Sequence, residues 1–130
     1  MFVRISTLIA ALALAGLAST ADATTAKPQD CFLSINWRGW SPINNGDSIL
    51  IRVGLNDIFQ ADLTPGSHVY RYPNYWLTNE VRGSAWICSP VDLQLRLGTN
   101  YGTYQPLIVR SLRRLTPEEV AAIPKKDFPY

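Results

Sequence analysis

An apolar run over residues 8–17, preceded by Arg4 and followed by Ala21-Asp22-Ala23, constrains everything downstream of it. One positive charge, a short hydrophobic stretch and small residues at the two recognition positions of a cleavage site mark residues 1–23 as a secretory signal peptide. A membrane anchor would need about 20 apolar residues, and Ser19 and Thr20 interrupt the run well before that. Lipid attachment at Cys31 would require that cysteine directly after the apolar run, whereas it follows Pro28-Gln29-Asp30. The expected product is periplasmic or secreted, with a flexible segment at residues 24–30 and one folded domain at residues 31–130.

Export sets the meaning of the cysteines. The chain has two, Cys31 and Cys88, and a lone pair in an oxidising compartment predicts a disulfide. Metal ligation or redox chemistry is the alternative, but there is no C-x-x-C and only one histidine. The leader takes Arg4 and Asp22 with it, so the net charge of +2 is unchanged by cleavage. Nucleic-acid binding asks for a dense basic stripe, and Arg110, Arg113, Arg114, Lys125 and Lys126 read instead as scattered solvated charge. No nucleic-acid partner and no membrane span after cleavage are expected.

β-type patterning dominates as far as Leu115. Ser34-Ile35-Asn36-Trp37 alternates polar with apolar, and Ile49, Leu50, Ile51 and Val53 lead through Gly54-Leu55-Asn56-Asp57 into a second run at residues 58–63, a hairpin signal. Thr64-Pro65-Gly66 is turn chemistry. A short strand is expected at residues 69–72, followed by a long loop. Val91, Leu93, Leu95 and Leu97 alternate with Asp92, Gln94 and Arg96, the clearest strand pattern in the chain. After a turn at residues 98–102 the chain returns through residues 106–112, with Leu107 and Val109 inward and Leu112 a further candidate. Thr116-Pro117-Glu118-Glu119 combines an N-cap, a proline at the first helical position and a glutamate three residues after the cap. That predicts a helix over residues 117–123, stopped by Pro124 and docked through Val120 and Ile123. The sum is a mainly β fold: a small antiparallel sheet or partly open barrel of five to seven strands with one short C-terminal helix, a sandwich being the alternative.

Catalytic signals are sparse. His68 is the sole histidine, and the chain has neither a Gly-x-Ser-x-Gly elbow nor a His-Glu-x-x-His helix. Ser67 and Asp62 are the partners a triad could recruit. Glu80, Asp57, Asp62 and Asp92 are candidate carboxylates by default only, and Glu118 and Glu119 are explained by the helix start. Asn44, Asn45 and Asp47 around Gly46 lack the spacing of a calcium loop and read as an ordinary turn. No enzyme, cofactor or metal is expected.

Aromatic residues are the distinguishing feature. Trp37 and Trp86, beside the two cysteines in sequence, are expected in the core. Tyr70, Arg71, Tyr72, Tyr75 and Trp76 fall instead in the expected loop, where burying every ring is difficult. Tyr, Trp and Arg are the residues that anchor protein interfaces, so this segment is the candidate binding site for a protein in the cell envelope. An inhibitor or immunity-type role fits a small exported domain of this format. The alternative is an envelope glycan or small-molecule module, with Trp40, Tyr72 and Trp76 as stacking platforms beside Asn74, Asn79 and Glu80.

Three stretches, Asp30-Cys31-Phe32, the run from Val81-Arg82-Gly83-Ser84 through Trp86-Ile87-Cys88 to Asp92-Leu93-Gln94-Leu95, and the closing Leu115-Thr116-Pro117-Glu118-Glu119-Val120-Ala121-Ala122-Ile123-Pro124, together resemble a family of small exported proteobacterial proteins of unknown function. The resemblance covers nearly all of the mature chain. It implies an exported bacterial setting and assigns no activity and no functional residue.

Overall fold

The computed structural model describes residues 31–71 and 74–130. The expected signal peptide, the 24–30 segment and Tyr72 lie outside the described residues. In chain order the strands are β1 (Phe32–Leu33), β2 (Trp37–Ile43), β3 (Ser48–Val53), β4 (Asp57–Leu63), β5 (Tyr75–Asn79), β6 (Trp86–Ile87), β7 (Leu95–Thr99), β8 (Tyr104–Leu107) and β9 (Val109–Arg114), followed by helix α1 (Pro117–Ala121). They form three antiparallel sheets, β2-β3-β4-β9, β5-β7-β8 and β1-β6, none closed into a barrel. The mainly β class with one short C-terminal helix is as expected, and the strands are more numerous because short pairs carry no periodicity of their own.

The four-stranded sheet is built from the β3–β4 hairpin, registered from Ser48↔Asp62 to Val53↔Asp57. Strand alternation turns Ile49, Ile51, Val53, Phe59, Ala61 and Leu63 to one face, where they meet Leu95, Leu97 and Leu107 of the three-stranded sheet and Phe32 and Ile87 of the β1–β6 pair in the main core. The same alternation turns Leu50 and Ile58 to the other face, which Leu115, Val120, Ile123 and Phe128 cover. Helix α1 ends at Ala121, two residues short of the expected 117–123; it docks through Val120, and Ile123 reaches the same patch from the turn that follows the helix. It carries a full capping box, with Thr116 Oγ1 accepting from the Glu119 N–H at 3.3 Å and Glu119 Oε2 from the Thr116 N–H at 3.2 Å. Both faces of this sheet are thus occupied.

Between β4 and β9, neighbours in that sheet, the chain makes an excursion that holds β5 to β8 and returns to its starting point, where the Thr64 N–H donates to the Ile108 carbonyl at 2.9 Å. One disulfide, Cys31–Cys88, ties the excursion to the N-terminal strand. Its cysteines flank the Phe32↔Ile87 pair directly, and the Asp92 carboxylate accepts from the Cys88 and Ser89 N–H groups, each at 3.0 Å. Those two N–H groups and the Ser89 hydroxyl hold the Asp92 carboxyl below its ordinary value. A disulfide is compatible with an oxidising, exported location. No helix among the described residues is long and apolar enough to cross a membrane.

Several local expectations are corrected. Residues 34–36 form a 3-10 turn, and the strand begins at Trp37. Val69 is fully buried but lies in irregular chain, while residues 75–79, expected as loop, are strand β5. Residues 90–92 form a second 3-10 turn that swings Val91 out to solvent, so only Leu93, Leu95 and Leu97 keep the apolar face. Trp37 packs against the core as expected, but Trp86 is 52% exposed. In the two-residue β6, Ile87 faces inward opposite Phe32, and period-two alternation leaves Trp86 outside.

Candidate recognition surface

Unlike the four-stranded sheet, the three-stranded sheet has only one face covered by the described residues. Leu77, Leu95, Leu97 and Leu107 turn into the core. On the opposite face the register aligns Trp76↔Gly98↔Tyr104 in one row and Thr78↔Arg96↔Pro106 in the next. Gly98 has no side chain, and the Trp76 indole occupies the space a Cβ there would need. The indole then meets the Tyr104 ring edge-on, with centroids 6.4 Å apart and planes at 79°, the arrangement the ring quadrupoles favour. Trp76 stays 37% and Tyr104 54% exposed, so the pair forms a fixed aromatic corner facing solvent.

Charge is fixed beside that corner. Glu80 accepts from both Arg82 and Arg96, each at 3.0 Å. Arg82's hydrogen bond, with Arg96 adding to it, holds the Glu80 carboxyl below its ordinary value. Two guanidiniums on one carboxylate leave this cluster with one net positive charge. Thr78, Asn79, Glu80, Arg96 and Tyr104 line a shallow depression of about 330 Å³.

The sequence-derived site residues divide between two neighbourhoods. Tyr75 and Trp76 both belong to β5, and alternation puts Trp76 on this face and Tyr75 on the opposite one, level with Leu77. Tyr70 stacks on His68 at 6.4 Å, and Arg71 reaches the Trp40 and Lys126 carbonyls through long hydrogen bonds of 3.5 Å, on the side of β2 and the C-terminal tail. Trp40 is partly buried and packs against the core. Tyr104, Arg96 and Arg82 were not among the expected site residues. A hairpin turn at residues 99–103 implies the Gly98↔Tyr104 pairing, so Tyr104 was within reach of the sequence, whereas the Trp76↔Gly98 pairing is long-range.

His68 takes Asp47 as its partner, Nδ1 to Oδ1 at 2.7 Å, in place of Asp62. Asp62 is committed elsewhere: it accepts from Ser48 at 2.7 Å, Gln60 at 2.9 Å and Ser111 at 2.7 Å. Burial pushes its carboxyl up, but those three donors and Arg110 outweigh it and hold it below the ordinary value. Ser67 Oγ accepts from the Ile108 N–H at 3.3 Å. The three residues a triad would need are thus engaged in separate structural contacts. Asn44, Asn45 and Gly46 form a tight turn with φ of 51°, 56° and 88°, closed by the Val69 N–H on the Gly46 carbonyl at 3.0 Å. Among the described residues no group of three His, Cys, Asp or Glu side chains could hold a metal.

The fold and this surface define a class: a disulfide-closed, mainly β domain with one sheet face left bare by the described residues. Compared with known proteins, the chain matches no family model, no curated protein and no solved structure.

Proposed function

We propose that this is a non-enzymatic exported domain that binds a protein of the cell envelope through the outer face of the three-stranded sheet. One observation carries the reading: Trp76, Tyr104 and Arg96, the residue types that dominate interface hot spots, are held side by side on an uncovered face by strand register and Gly98. An inhibitor or immunity-type role is one form such binding takes. A tagged exported protein tests the reading when incubated with an envelope extract beside a Trp76→Ala, Tyr104→Ala variant of unchanged unfolding midpoint. Stoichiometric capture that the variant loses supports it; equal capture by both sinks it.

A second reading, an envelope glycan or small-molecule module, is supported by the depression beside the rings, where the Thr78 hydroxyl, Glu80 and Arg96 offer hydrogen bonds next to an aromatic wall. Titration with oligosaccharides that quench tryptophan emission in the parent protein and not in the double variant would support it over the protein.

A further inference from the structure

We infer that the edge of β5 at Leu77 and Asn79, unpaired among the described residues, takes up an extended, acidic segment of a protein partner, adding it to the three-stranded sheet as a fourth strand. The inference rests on the protein-binding reading and specifies its mode. Sheet edges left open are templates for another strand, and proteins block them with proline, charge, bulges or covering chain. Such blocks are present at the other edges of the two larger sheets. β2 contains Pro42 and has the backbone of Pro129 and Tyr130 laid against Gly39. β8 carries Pro106, and β9 has a register shift opposite Asp62 and Leu63 and three arginines. β5, Tyr-Trp-Leu-Thr-Asn, has no proline, no charge and an unbroken register with β7.

The backbone groups available on that edge follow from one bond. The Glu80 N–H donates to the Gln94 carbonyl at 2.9 Å, toward β7. Successive residues of an antiparallel strand alternate between facing the neighbour and facing away, so Leu77 and Asn79 present their N–H and C=O groups to the open side. Side chains of an added strand would alternate likewise. One set comes level with Trp76 and Thr78, near the Glu80, Arg82 and Arg96 cluster, whose net positive charge favours carboxylates. The other set comes level with Leu77 and Asn79, which with Ile35, Trp37 and Val81 line a cleft of about 270 Å³ between the β5 and β2 edges. The Asn79 Nδ2 is buried there without a hydrogen-bond partner among the described residues, a donor left for an acceptor on the incoming chain.

The probe is a seven-residue peptide alternating valine and glutamate, compared with its lysine counterpart and with a version N-methylated on alternate backbone nitrogens. Binding to the disulfide-bonded protein is followed by tryptophan fluorescence and by amide shifts of Leu77 and Asn79. The glutamate peptide is expected to bind and to shift both amides, and the other two to bind at least about tenfold more weakly, since main-chain bonds supply affinity in strand addition. Arg82→Glu, at an exposed position, should reverse the preference between the charged peptides. Failure of the glutamate peptide to bind, equal binding of the N-methylated peptide, or shifts confined to other residues would overturn the proposal. If capture from the extract still depends on Trp76 and Tyr104, the protein-binding reading survives that failure. Concentration-dependent dimerisation through the same two amides would make the occupant a second copy, and would equally overturn it.

Discussion

The two larger sheets of this molecule carry apolar residues on the same period and end in different states. The four-stranded sheet is sealed on one side by the main core and on the other by Leu115, Val120, Ile123 and Phe128. The three-stranded sheet is sealed on one side only, and its outer face holds a tryptophan, a tyrosine and paired charges. The difference separates two demands on a strand: where both faces are buried, side chains are constrained by packing, and where one is bare the packing constraint falls on the inner face alone. Stability and recognition should therefore be separable by mutation.

The largest separation is expected at Phe59, which is buried in the main core against Phe32 with ring centroids 4.7 Å apart. Phe59→Ala should cost about 3–5 kcal/mol in urea denaturation, whereas Trp76→Ala on the bare face should cost about 1 kcal/mol or less while removing partner capture. A comparable loss at both positions would break the distinction. Next comes the link between the halves. Replacing Cys31 and Cys88 by serine opens a loop with a sequence separation of 57, for which chain entropy gives about 4 kcal/mol, read as a lowered urea midpoint without reductant.

Asp62 sharpens the comparison by pH. Its carboxyl is lower in the folded protein than in the unfolded chain, so its contribution is fully present above the ordinary carboxylate value of about 4 and is lost as pH falls through the depressed folded value. Asp62→Ala should destabilise by about 1–3 kcal/mol at neutral pH, because Ser48 and Ser111 lose their acceptor. The gap to the parent should narrow in acid, as urea midpoints at pH 7 and pH 3 would reveal. Thr116→Ala should cost about 1 kcal/mol through the lost cap. The smallest stability effect is expected from Gly98→Ala, which pushes the Trp76 indole off its seat; a thermal midpoint almost unmoved and a weakened partner signal would place that residue with presentation and not packing.

Local chemistry made much of this legible. The β3–β4 hairpin, the capping box at Thr116 and the apolar positions of Val120 and Ile123 are each written in one short contiguous stretch. What the sequence concealed depends on partners far along the chain. Tyr75-Trp76-Leu77 follows Pro73-Asn74 and reads as loop until β7 is available to pair with it, and Trp86 looks like core until Phe32 and Ile87 fill the two-residue ladder. His68 met Asp47 because the turn at Asn44-Asn45-Gly46 folds against Val69, a contact no periodicity announces. Of the aromatic segment expected as a site, Trp76 lies on the bare face, Tyr75 on the opposite face of β5, and Tyr70 and Arg71 elsewhere, because an aromatic cluster in sequence signals its chemistry but not the face each ring will take.

The excursion between β4 and β9 leaves and re-enters the scaffold at a single hydrogen-bonded point, Thr64 to Ile108. Everything that faces the bare side is thus encoded as one uninterrupted cassette, anchored elsewhere by the bond to Cys31. A gene arranged this way can vary the outward positions of one contiguous stretch, Trp76, Arg96 and Tyr104 among them, while the inward leucines of the same stretch keep the four-stranded sheet covered.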